Sequence, residues 1–521
     1  MKKKTWIAMA SLCMASVSVQ AGGLLTNSNQ NASFLRNFAQ EGQINLASLY
    51  ANPAGNAFLS NGWHLALNSQ TAIQQRNIQT SFPLFAYNQE TPGVASHEFK
   101  GKAFAPVIPS VTVSHNWDKW SVSAHFALVG GGGKCEFDKG LGSFEALYAS
   151  TIAQSLPAMV NATVNDKVGA AMPGIVAGKL QQMGISETYA AALASTGTYT
   201  PNTQSQMTGY GLDAYMRGRS YYFGLQLGAS YKILDNLSAY IGVRGTYGTC
   251  NYYGYVQDIS ASYAYECTAG YSLPANAALG FPGTTGTQVI KDQGTQDLND
   301  NSLTLNCDQD GIGFTPIFGL DWMINDRWNV AVKYEAPTRM SLKNKSEMNN
   351  FAKGQAAQPG NTLAQFKDGE KVREDIPAIL AAGGEFKATD NFRVDASAKI
   401  YFDKSARKEG NKEDLIDHNT WEVAAGLEFD VNKVITLSAS WQSTNYGLSD
   451  QYMNDLSFNL SNNSLGLGFL IHATKKLDID FGYMHTFYND KTVATKTSIG
   501  DKTDIYSRKN DVLGVGVTIA L

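Results

Sequence analysis

From residue 62 to the last residue, the chain repeats one pattern. Apolar side chains fall at every second position, in runs joined alternately by tight turns and long loops. Trp120, Val122, Ala124, Phe126 and Leu128 alternate with Ser121, Ser123, His125 and Ala127; Tyr221, Phe223, Leu225, Leu227 and Ala229 alternate with Tyr222, Gly224, Gln226, Gly228 and Ser230. The same period runs through 237–243, 312–322, 328–334, 392–400, 421–429, 435–441, 477–483 and 513–521. Such alternation gives a β-strand one apolar and one polar face.

A soluble β-sandwich gives the same local signal, so the connections must decide. Tight turns lie at 116–119, 234–236, 325–327, 389–391, 430–433 and 473–476. Between those pairs the loops are long: roughly 130–218, 260–310, 345–372, 405–417, 445–456 and 489–506. Short turns on one edge and long loops on the other mark a bacterial outer-membrane barrel. The expected fold is all-β: a 14-stranded antiparallel transmembrane β-barrel, both chain ends on the short-turn side. A bilayer demands such closure, because an open sheet edge in hydrocarbon leaves backbone groups unpaired at several kcal/mol each. Trp63, Trp117, Trp120, Trp322, Trp328, Trp421 and Trp441 suit interfacial girdles, although core packing would also place tryptophans in strands.

The first residues, MKKKTWIAMASLCMASVSVQA, combine three lysines, an apolar stretch and a small-residue site after Ala21. They read as a signal peptide over 1–21, whose removal takes away three lysines and no acid and changes the net charge from −4 to −7. With 17% charged residues and scattered cations there is no nucleic-acid footprint, and no cofactor is expected. The histidines form no metal-ligand pattern, and no G-x-S-x-G motif or acid–base constellation points to an enzyme. Cys135, Cys250, Cys267 and Cys307 can form two disulfides in an oxidising compartment; clamping of long loops is the preferred account.

Two regions depart from the alternation. Residues 141–200 are rich in Ala, Leu and Met at helical spacing, which predicts helical structure inside one large loop at about 134–218. Met159, Met172 and Met183 in it would suit either an adaptable apolar landing surface or simple helix packing. Residues 22–60 precede the first strand and are either a periplasmic tail or a plug within the barrel, which itself spans 61–521.

The order of several segments resembles the FadL family of outer-membrane transporters for long-chain fatty acids and other hydrophobic compounds. They are Asn52-Pro53-Ala54-Gly55 after a leader and helical segment, then APVIPSVTVSHNWDKWSVSAHFALVGGGG, GIGFTPIFGLDWMINDRWNVAVKYEAPTRMSLK, DIPAILAAGGEFKATDNFRVDASAKIYF and NTWEVAAGLEFDVNKVITLSASWQSTNYGLSD. The resemblance implies a barrel stoppered by an N-terminal hatch holding Asn52, Pro53, Ala54 and Gly55. It implies capture of a hydrophobic ligand by extracellular loops, binding in the lumen, and passive lateral exit through a kinked third strand. The run Gly130-Gly131-Gly132-Gly133 ends that strand and is either the bulge that opens the wall or a linker into the large loop.

Parity points Arg244, Lys333, Glu335, Arg393, Asp395, Lys399, Glu422 and Glu428 into the lumen, since a lipid-facing Arg or Lys costs about 2–4 kcal/mol near the midplane. Arg244 and Lys399 are the expected partners of a ligand carboxylate, unless they pair across the lumen or hold the hatch. Expected partners are a fatty-acid-like ligand, outer-membrane lipid and the barrel assembly machinery, with the chain a monomer in a Gram-negative outer membrane. A porin for polar solutes, or a surface receptor or adhesin, is the alternative.

Overall fold

The computed structural model describes Thr26, residues 31–358 and residues 361–521. The expected signal peptide and most of 22–30 lie outside the described residues. The alternating runs form strands, and fourteen of them cross the wall. They are β1 (Gly62–Ser81), β2 (Ser96–Trp117), β3 (Trp120–Phe137), β4 (Thr198–Leu234), β5 (Leu237–Leu273), β6 (Leu303–Asn325) and β7 (Trp328–Glu335). Then come β8 (Ile379–Thr389), β9 (Phe392–Tyr401), β10 (Ile416–Asp430), β11 (Ile435–Leu448), β12 (Asn462–Thr474), β13 (Leu477–Tyr488) and β14 (Asp501–Ala520). Neighbours pair antiparallel, and β1 pairs with β14 through Leu67↔Val517 and Ser69↔Val515, so the sheet is a closed barrel.

The pleat sorts the side chains as the alternation requires. Val122, Phe126, Leu225 and Phe314 stand exposed on the outside, while Ser121, His125, Gln226 and Thr315 are buried inside. All seven tryptophans named above are exposed on the outer face, so none is a core residue. Trp63, Trp117, Trp120, Trp322 and Trp328 gather at the short-turn rim, and Trp421 and Trp441 lie farther up the wall.

β7 and β8 are each interrupted and then resumed by short strands, Ser341–Met348 and Lys371–Arg373, which pair with each other. Pro337 and Pro377 sit in the two interruptions, where a residue without an N–H cannot extend the ladder. A single bridge between Thr338 and Ile376 spans the break.

β4 and β5 run well beyond the barrel. β4 pairs with β3 only as far as Met216, so about 18 residues at ~3.3 Å each, or roughly 60 Å, stand clear of the wall. The strand Thr284–Asp297 pairs with the far end of β5 and widens this ribbon. Helix α1 is short (Ala32–Arg36), and α2 (Gly142–Gln182) lies along the ribbon, its 41 residues spanning about 60 Å as well. The connection between β3 and β4 is therefore 138–197, shorter than the expected 134–218, because β3 runs on to Phe137 and β4 begins already at Thr198.

The buried stripe of α2 is Ile152, Leu156, Val160, Val164, Val168, Met172, Val176 and Leu180. Each four-residue step overshoots a turn by about 40°, so the stripe winds around the helix and follows the right-handed twist of the ribbon beneath it. Met172 belongs to that packing, whereas Met183 is exposed. At its start α2 is tied down over the barrel mouth. Glu145 accepts hydrogen bonds from Asn88 (2.6 Å) and Tyr210 (2.8 Å) and pairs with His97 (2.9 Å). The Ser143 amide donates to Asp455 at 2.7 Å.

Candidate functional site

Every residue from Asn31 to Gln43 is buried, and the partners of this segment are inward-facing wall residues. Arg36, at the end of α1, donates to Asp480 on β13 (2.8 Å), to Ser438 on β11 (2.7 Å) and to Glu428 on β10. Asn37 donates to Asp395 on β9 at 2.7 Å.

The Asn52-Pro53-Ala54-Gly55 motif is a folded corner against the opposite wall. The Asn52 side-chain oxygen accepts the Gly55 amide (3.1 Å), its amide donates to the Gln43 carbonyl (3.1 Å), and it also reaches Asp321 on β6. Ser230 on β4 and Ser238 on β5 donate to the carbonyls of Pro53 (2.9 Å) and Ala54 (2.7 Å). A Cβ at position 55 would lie 2.7 Å from the Asn52 amide and 3.2 Å from Asp321, so a side chain there would push the Asn52 amide off its partners.

Above the segment the wall is broken. β2 and β3 pair from Trp117↔Trp120 to Ser110↔Ala127 and again from Ala103↔Cys135, with no pairing in between. Three features of the sequence produce this gap. Pro106 and Pro109 remove two donors from the β2 edge. The glycine run then inserts extra residues into β3, whose pairing with β4 slips at Leu128/Gly130 and again at Gly130/Gly133. Gly131 holds φ +113°, and a Cβ there would meet the Ser220 carbonyl oxygen at 2.4 Å. The linker reading of Gly130–Gly133 is thus corrected, because these residues lie within β3 and face the break.

A cavity of about 420 Å³ fills this break and runs through the wall. Its outer lip is apolar, with Phe104 and Val107 on β2 exposed by 62% and 64% and Phe126 and Phe223 beside them. Its inner end is lined by Thr26, Tyr446, Phe458, Tyr488, Asn510 and two arginines. Arg76 and Arg508 are direct cross-strand partners on β1 and β14. Arg76 lies 5.9 Å from the Phe458 ring centre and Arg508 5.0 Å from that of Tyr488, and both side chains line the cavity. The Arg508 Nε is buried with no hydrogen-bond partner. No Asp or Glu lines the cavity, and neither arginine forms an ion pair among the described residues. The residues outside them contain no Asp or Glu either.

The expected carboxylate partners are engaged elsewhere, which corrects that expectation. Arg244 is buried against Glu335, which also holds Lys333 at 2.7 Å, and both cations face the ring of Tyr50, at 5.3 and 4.6 Å. Lys399 pairs with Glu41 (3.0 Å) and lies 4.0 Å from Glu422. The space beside Lys399 is about 30 Å³, room for one water and no ligand. These cations hold the N-terminal segment; parity placed them inward but could not name their partners.

The disulfide expectation is also corrected: Cys135, Cys250, Cys267 and Cys307 are free and buried. They sit within β3, β5, β5 and β6 rather than in flexible loops. Opposite Cys250 stands Gln309, and opposite Cys307 stands Tyr252, so no two thiols face each other across a ladder, as close bonding geometry would favour. In the folded barrel none of the four should react with a maleimide, and all four should react after thermal unfolding in detergent. Labelling of the native protein, or fewer than four additions after unfolding, would contradict this arrangement.

With this geometry in place, the barrel can be compared with solved structures. A FadL homologue from Pseudomonas aeruginosa superposes with a TM-score of 0.56 at 16% identity, covering 96% of this chain and 100% of that one. This chain has the FadL fold. The deltaS2 mutant of TodX, a monoaromatic hydrocarbon channel, superposes at 0.51 with 12% identity over 95% and 100% of the two chains. The TodX deltaS2S3 mutant gives 0.50 with 11% identity over 94% and 99%. No family model and no curated protein matches the sequence. At such identities the likeness concerns the FadL fold alone.

Proposed function

We propose that this chain is a channel of a Gram-negative outer membrane for passive uptake of long-chain fatty acids. The outer belt and closed barrel suit a bilayer. The buried segment from Asn31 to Leu59 acts as a hatch, so an acid captured near the extracellular loops cannot pass straight down the bore. Its carboxylate binds Arg76 and Arg508, its tail lies toward Phe126 and Phe223, and it leaves sideways through the gap between β2 and β3.

One observation carries the reading: a through-wall cavity of ligand size, apolar at its outer lip and holding two acid-free arginines at its inner end. Two half-buried guanidiniums placed side by side without a counter-ion repel each other, and an anionic head supplies the missing charge. A neutral hydrocarbon would leave both guanidiniums uncompensated.

The test is oleate uptake by cells whose own fatty-acid channel has been removed. The chain should restore it, and Arg76→Gln with Arg508→Gln should cut uptake about tenfold, the loss of one charge-assisted contact. Uptake unaffected by the double substitution would remove these residues from the path. Large steady ion currents without oleate uptake would make the protein a porin instead.

A further inference from the structure

The charge at the inner end of the cavity exceeds what a fatty acid can neutralise. We propose that this end is built for a doubly charged head, and that the channel prefers single-tailed alkyl phosphates to carboxylates of equal length. The inference rests on the reading of the cavity given above and deepens it.

Arg76 and Arg508 are opposed on adjacent strands, a position in which like charges destabilise each other. Chains usually relieve such a pair with a nearby acid. Here none lines the cavity, and the residues outside the described set offer none. A monocarboxylate cancels one charge and leaves the other. A phosphate monoester carries about −1.5 to −2 near neutral pH and three acceptor oxygens, enough for two guanidinium edges. Donor geometry agrees. Phe458 and Tyr488 lie against the two guanidiniums, Arg76 Nε donates to Gln74 at 3.0 Å, and Arg508 Nε is buried without a partner. Two planar forks on paired strands can share the three oxygens of a tetrahedral head, whereas the two oxygens of a carboxylate satisfy one fork edge-on.

The ligand's own titration gives a signature. The second ionisation of a phosphate monoester lies near pH 6. The ionisable groups lining the cavity are the two arginines, Lys134 and the tyrosines Tyr221, Tyr446 and Tyr488; no Asp, Glu or His is among them. Lys134 is paired with Glu136 at 2.8 Å. The preference for phosphate should therefore fade on acidification as the head takes up its proton.

The experiment is calorimetric titration of the full-length barrel, in a non-ionic detergent, with dodecyl phosphate, dodecanoate and dodecanol. Dodecyl phosphate should bind about tenfold tighter than dodecanoate near pH 7.5, and the preference should shrink to about twofold near pH 5.5, where the phosphate is mostly singly charged and the carboxylate still mostly ionised. Arg508→Gln should bring the two anions level at the higher pH. Should that variant fail to show the heat-dependent gel shift of a folded barrel, Arg508→Lys, which keeps the charge but loses the fork, should narrow the preference. Equal or tighter dodecanoate binding by the unaltered protein near pH 7.5 would overturn this inference and leave the fatty-acid reading standing. If neither anion bound better than dodecanol, both would fall.

Discussion

Deletion of Gly131 and Gly132 is expected to abolish most oleate uptake, by tenfold or more if the side exit is the main route, while the barrel still assembles. The reason lies in the ladder. β3 carries extra residues between Leu128 and Gly133 relative to β4, and over the same stretch it has no partner on β2. Without the excess, β3 can run in register along β4 and lie closer to β2, so the cavity loses its opening through the wall. Only Pro106 and Pro109 would then resist full pairing. Barrel integrity can be followed by the gel shift, and uptake in the same cells. A properly assembled deletion variant with undiminished uptake would show that cargo leaves by another way.

Arg36→Ala should have the second large effect, on the bore itself. Arg36 is buried and joins the N-terminal segment to Glu428, Asp480 and Ser438 on three wall strands. Glu428 retains Arg393 at 3.3 Å, but no other cation is paired with Asp480 among the described residues. Removing one partner of a buried ion cluster costs about 3–5 kcal/mol, because the remaining charge stays buried. That cost falls on the seating of the segment rather than on the wall ladder, so the variant should conduct ions in planar bilayers and the unaltered barrel should not. Adding Asp480→Asn, which removes the stranded charge, should return the conductance toward the closed level. A variant as tightly closed as the unaltered barrel would show that this cluster does not retain the segment.

Much of this architecture could be read along the chain because a β-barrel wall is a local pattern. Trp120 to Leu128 announces an outward apolar face with no knowledge of its neighbours, and Asp118-Lys119 marks a tight turn wherever it lies. The glycines after Val129 mark a place where a ladder can fail, for the same local reason. Beyond the wall the signal weakens. The helical content of 141–200 was legible, but the four-residue stripe of α2 makes sense only on the twisted ribbon of β4 and β5, whose extra length its small polar residues did not announce.

The binding groups were the least legible part. Arg244 and Lys399 are the lumenal cations that strand parity brings forward, yet carboxylates from β7, β10 and the N-terminal segment claim them. Arg76 sits in the polar run Gln74-Gln75-Arg76-Asn77, and Arg508 in Ser507-Arg508-Lys509-Asn510, where polarity on both faces hides the parity. A search for cations in the first strand, Gly62–Ser81, which contains no acid at all, could have found Arg76 but not Arg508, which has Asp504 and Asp511 beside it in sequence.

The amino-acid order alone determined the strands, their turns, the inward and outward faces and the weak point in β3, because each depends on residues a few positions apart. Tertiary structure decided which charges meet. Closing the cylinder sets the first strand beside the last and places Arg76 opposite Arg508, and folding the leading segment inward neutralises the cations that looked available. Pairing of charge depends on distance through space, which an alternating pattern along a chain does not encode.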